Sequence, residues 1–192
     1  MNEKTKKIVG IGIFTAIVVV LQFLGSFIKF GTFSISLVLA PIIIGAALYG
    51  VGAGAWLGLV FGITVLISGD AAAFLSVNAV GAVVTVLLKG CLAGLAAGAV
   101  YKALEKKSSM GATILSGITA PVVNTGVFLL GCLVFFMPTI NGWAKAAGMA
   151  NAGKYMIVGL VGVNFLVELA INLVLSSVIV RLIAIGKKSK IA

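Results

Sequence analysis

The feature that most constrains this chain is a series of six apolar stretches, roughly residues 8–28, 35–50, 52–68, 79–103, 111–136 and 155–185, within 192 residues. A hydrocarbon layer is crossed by a helix of about 20 apolar residues, so six crossings consume about 120 residues and leave only short connections. The sequence therefore predicts an all-α integral membrane protein with six transmembrane helices, forming one membrane domain over residues 1–192. Composition agrees. The chain is 61% hydrophobic and 9% charged, against about 45–50% and roughly 25% in soluble domains. A water-soluble enzyme of this size has no way to hide that much apolar surface. The second and third stretches meet at the Tyr49–Gly52 turn and form a tight helical hairpin. Residues 8–28, behind Lys4, Lys6 and Lys7, exceed the 7–15 apolar residues of a signal-peptide core and read as a retained first helix.

The formal charge of +10 follows topology. With the N-terminus in the cytoplasm, the inner segments carry Lys4, Lys6, Lys7, Lys102, Lys106, Lys107, Arg181, Lys187, Lys188 and Lys190. The outer loops carry Lys29, Lys145 and Lys154, and Lys89 falls inside a span. Cytoplasmic loops collect cations, so both termini are expected in the cytoplasm and no nucleic-acid partner is implied.

The chain contains no histidine and four acidic residues. His-based catalysis and His- or carboxylate-ligated metal sites are excluded on that count, and no phosphate-cradling Gly-rich loop ending in Lys-Ser/Thr is present. Neither an enzyme, a metal nor a cofactor is expected. Cys91 and Cys132 lie in apolar runs and read as buried fillers.

Helices associate in lipid largely by close backbone approach through small residues. Gly50, Gly54, Gly58 and Gly62 recur every four residues on the third stretch, Gly90, Gly94 and Gly98 on the fourth, and Gly12 and Ala16 on the first. The fourth-stretch row reads as internal packing. Gly12, Ala16, Gly54 and Gly58 are candidates for a docking face towards another membrane protein; from the residues alone, internal packing is an equal reading.

Polar side chains inside a bilayer are costly and mark function by default. Thr85 and Lys89 lie one helical turn apart on the fourth stretch, and Asn124 and Thr125 follow Pro121 on the fifth. Asn164, Glu168, Asn172 and Ser176 share one face of the sixth. Lys89 and Glu168 fall at similar depth, which suits a ligand site or a structural ion pair. Together with Asn78, these residues outline a polar pocket between the last three helices. Phe30, Phe33, Asp70, Phe74 and Trp143 in the outer loops form a candidate lid, whose rings would stack on a flat ligand.

The run Phe33-Ser34-Ile35-Ser36-Leu37, Pro41-Ile42, Gly45-Ala46, Tyr49-Gly50, Gly54-Ala55 resembles the second and third helices of substrate-binding S components of energy-coupling factor (ECF) vitamin transporters. The resemblance implies a multi-pass subunit of the bacterial plasma membrane that captures a water-soluble vitamin from outside. It further implies a transmembrane coupling subunit (T component) and two cytoplasmic ATPases as partners. The family's Ala-x-x-x-Ala motif, which contacts the coupling subunit, matches Gly12 and Ala16. Riboflavin is the first candidate ligand, with Asn124 and Asn164 on its ring edge. Pantothenate and folate follow, because Lys89 suits a carboxylate or phosphate. The alternative is a stand-alone proton-coupled secondary transporter or small channel, with Glu168 as the coupling carboxylate.

Overall fold

The computed structural model describes residues 2–27, 29–30, 33–34 and 37–188. Among the described residues the regular structure is helical apart from one antiparallel pair of two-residue strands, and every apolar stretch contains a helix. In chain order these are α1 (Glu3–Ser26), the strands β1 (Lys29–Phe30) and β2 (Phe33–Ser34), α2 (Leu39–Tyr49), α3 (Val51–Ile67) and α4 (Ala72–Leu75). They are followed by α5 (Ala79–Leu104), α6 (Ser109–Phe135), α7 (Met137–Ala146), α8 (Ala152–Lys154), a π-helical segment Tyr155–Gly162, and α9 (Val163–Lys188).

Among the described residues, four helical rods are long and apolar enough to cross a membrane: α1, α5, α6 and the continuous Ala152–Lys188. The other two apolar helices are shorter. At 11 residues, α2 is about 16 Å long, roughly half the hydrocarbon thickness. Every residue from Leu39 to Ala46 is buried, because α2 sits among α1, α3, α5, α6 and α9. Gly50, at φ +99°, makes the turn into α3 in a backbone conformation that favours glycine.

The closest helix pair is α3 with α5, and its cause is written in glycine. A Cβ added at Gly58 would strike the carbonyl of Gly90, and one at Gly90 the carbonyl of Gly58; Gly54 and Gly94 are related in the same reciprocal way. The two rows interlock backbone to backbone. This corrects one expectation: Gly54 and Gly58 are buried in an internal seam and are not part of a docking face, since only residues without side chains allow that approach. Gly12 and Ala16 are exposed, and a Cβ at Gly12 would meet nothing within 4 Å.

Further round the bundle α5 packs on α6 and α6 on α9. Below the site described next, the Ser116 hydroxyl donates to the Ala97 carbonyl at 2.9 Å and ties α6 to α5. At the far ends of α5 and α9, Lys187 pairs with Glu105 at 2.5 Å. The outer loop expected after the fifth stretch is largely the helix α7, started by a proline in its first turn.

Candidate functional site

A partly open cavity of about 70 Å³ lies at the end of the bundle that carries α4. One water requires about 10–15 Å³ of such space, so the cavity has room for several non-hydrogen atoms. It draws on both halves of the chain: Gln22 of α1, Phe61 and Val65 of α3, Asp70 and Phe74 around α4, and Thr85 and Lys89 of α5. From the other side come Asn124, Thr125 and Phe128 of α6, Leu160 and Val161 of the π-helical segment, and Asn164, Phe165 and Glu168 of α9.

Helical spacing brings the polar groups together. Thr85 and Lys89, and Asn164 and Glu168, are pairs four residues apart, so each pair shares a face of its helix. Thr85, Asn124, Asn164 and Glu168 are buried. Among the described residues, Thr85 Oγ1, Asn124 Oδ1, both side-chain polar atoms of Asn164, and Gln22 Oε1 are buried without a hydrogen-bond partner. Buried polar groups are normally bonded, and leaving one unbonded costs about 1–3 kcal/mol. Four such residues around one void give it a polar lining with hydrogen-bonding capacity for a small polar guest or for water.

The Lys89 ammonium stands 5.5 Å from the ring centre of Phe61 and 5.7 Å from that of Phe128, so two aromatic faces support it. The carboxylates of Glu168 and Asp70 both act on it through space. Asp70 is held in turn: Gln22 Nε2 donates to its Oδ2 at 2.7 Å, and the Ser68 hydroxyl donates to the same oxygen at 3.4 Å.

Phe74 closes the cavity as the hub of an aromatic group. It meets Phe128, Phe136 and Trp143 edge-to-face, with ring centres 5.4, 5.0 and 5.4 Å away. Of the residues expected in a lid, Asp70 and Phe74 line the cavity, and Trp143 of α7 backs Phe74. The side chains of Phe30 and Phe33 lie outside the described residues.

Two expected binding residues are used elsewhere. Asn78 caps α5, its side chain accepting from the Gly81 amide at 2.9 Å. Asn172 donates from Nδ2 to the Glu168 carbonyl at 2.9 Å and packs against Gly117 of α6. Neither lines the cavity, because backbone groups one turn away claim their side chains first. Conversely Gln22, Phe61, Phe128 and Phe165 line it and are absent from the sequence-derived set. Gln22, an amide in an apolar run, carries the same signal as Asn124. The phenylalanines carry none, being apolar residues in apolar runs.

A family model for the substrate-specific component of ECF transporters matches residues 6–180. The chain belongs to that family. This S component is thus a multi-pass membrane protein and the substrate-specific subunit of a transporter; family membership implies a small-molecule substrate, a T component and ATPase partners in which hydrolysis resides. No curated protein and no solved structure matches the S component.

Proposed function

We propose that this S component is the high-affinity capture subunit of an ECF importer in the bacterial plasma membrane, binding a water-soluble vitamin in the cavity between α5, α6 and α9. The observation that carries the reading is the set of buried, partnerless polar atoms on cavity-lining residues from four helices, beneath an aromatic cover. A ligand with hydrogen-bonding edges supplies the partners that the protein withholds. On the expected topology of six helices with both termini in the cytoplasm, the cavity opens at the outer face, as capture from outside requires. The family supports this reading over a stand-alone proton-coupled transporter.

Riboflavin, pantothenate and folate remain the candidate cargoes. The aromatic lining suits the flat rings of riboflavin and folate, and only pantothenate and folate bring a carboxylate to Lys89.

The coupling face is assigned to Gly12 and Ala16 on α1, the sequence-derived docking residues that are exposed. Mass spectrometry of small molecules released from the detergent-purified protein tests the cargo assignment: a vitamin should appear, and its absence together with no vitamin binding would refute the capture role. Gly12→Leu and Ala16→Trp test the docking face. Uptake by cells should fall at least tenfold while the isolated subunit binds its ligand normally; lost binding would mean that these residues pack internally.

A further inference from the structure

Lys89 stands in an unusual position for a buried cation. An ammonium has three donors and no acceptor, and inside an apolar site it is expensive unless paired and hydrogen-bonded. Here its neighbours are the faces of Phe61 and Phe128. Ring faces attract the charge but do not replace oxygen acceptors. No hydrogen bond or ion pair of Lys89 is found among the described residues, although the residue lines the cavity.

The nearby carboxylates do not fill the role. Asp70 Oδ2 already accepts from Gln22 Nε2 and from the Ser68 hydroxyl. Glu168 has further interactions of its own. Both act on the lysine from a distance. Had a structural ion pair been the purpose of Lys89, a direct contact with Glu168 would be the economical solution; the two rings instead hold the ammonium at the wall of a void.

We propose that Lys89 is the anchor for an anionic head, a carboxylate or a phosphate, on the carried molecule. This rests on the reading of the cavity as the binding site and narrows it to one charge class. An anionic oxygen supplies both the acceptors and the counter-charge that the rings lack. The partnerless Asn124 Oδ1, the Asn164 amide and the Thr85 hydroxyl then serve the uncharged remainder of the ligand. The inference ranks pantothenate and folate ahead of riboflavin, which is uncharged.

The test is equilibrium binding to the purified full-length protein with matched probes: pantothenate against panthenol, nicotinate against nicotinamide, and riboflavin phosphate against riboflavin. The first two pairs read a carboxylate and the third a phosphate. At least one acid should bind wild type thirtyfold or more tighter than its neutral partner. Lys89→Met, which keeps the length of the side chain and removes the charge, should bring that ratio close to one. Lys89→Arg should restore part of it, and its thermal unfolding separates lost binding from lost folding.

The inference is overturned if no acid binds wild type more tightly than its neutral partner, or if the preferred acid binds wild type and K89M equally. So does a wild-type protein that binds none of the acids and releases none on denaturation. The cavity itself is checked with Asn164→Ala. If wild type shows no preference for any acid while N164A still weakens binding, the charge assignment fails and the site stands; if N164A leaves every ligand unaffected, the site fails as well.

Discussion

Helix α5 has two working faces, and they are built on opposite principles. Towards α3 it presents Gly90 and Gly94, backbone against backbone with no side chain between them. Towards α6 and α9 it presents Thr85 and Lys89 beside a cavity whose polar lining is unsatisfied. The seam gains stability from close contact. The cavity surrenders stability, because each partnerless buried group costs about 1–3 kcal/mol that closer packing would have avoided. A membrane bundle whose only task was to fold would make both faces like the first. The difference between them separates what holds this protein together from what it is for.

Three substitutions break or sharpen that contrast. The largest effect is expected from Gly58→Leu, which drives a side chain into the Gly90 carbonyl. Overpacking of this kind costs about 3 kcal/mol or more where backbone cannot yield, on the order of 10 °C in melting temperature. Differential scanning fluorimetry in detergent reads it, and an unchanged melt would separate α3 from α5. Next, Asn164→Ala should weaken ligand affinity about tenfold while the ligand-free protein melts no lower than wild type, since an unsatisfied amide is being removed. Titration and melting of the same preparation check this; a lower melting point with unaltered affinity would move Asn164 into the structural class. The smallest effect is expected at the exposed Lys187–Glu105 pair. Lys187→Ala should cost less than about 1 kcal/mol, because Lys187 is 44% and Glu105 30% exposed. A larger loss would make this far end a structural clamp.

How far the sequence could be read follows the same division. A polar side chain in an apolar run has few reasons to be there, so Thr85, Lys89, Asn124, Asn164 and Glu168 are legible as a group before any coordinates, and the structure brings them to one cavity. Asn78 and Asn172 carry an identical signal with a different cause, a helix cap and a backbone carbonyl one turn back. Composition does not separate these uses, because both satisfy the same chemistry. A glycine stripe is equally silent about its partner. Gly12 and Gly58 look alike in sequence, yet one is exposed and the other is buried against Gly90. The shortness of α2, buried among five other helices, is not written in its hydropathy, whereas Met137–Ala146 carries a local helix signal in Pro138 of its first turn.

The π-helical segment Tyr155–Gly162 leads directly into the 26 residues of α9. Its winding takes an extra residue per turn, so these few residues set the rotational phase of everything after them. Shortening the segment by one residue, for example by removing Gly159, would allow an ordinary helix and swing the stripe that begins at Asn164 by about 100°. Asn164 and Glu168 would then turn away from Lys89 with no side chain altered. The azimuth of the last helix, and with it the polarity of the pocket wall, is governed by chain length just upstream.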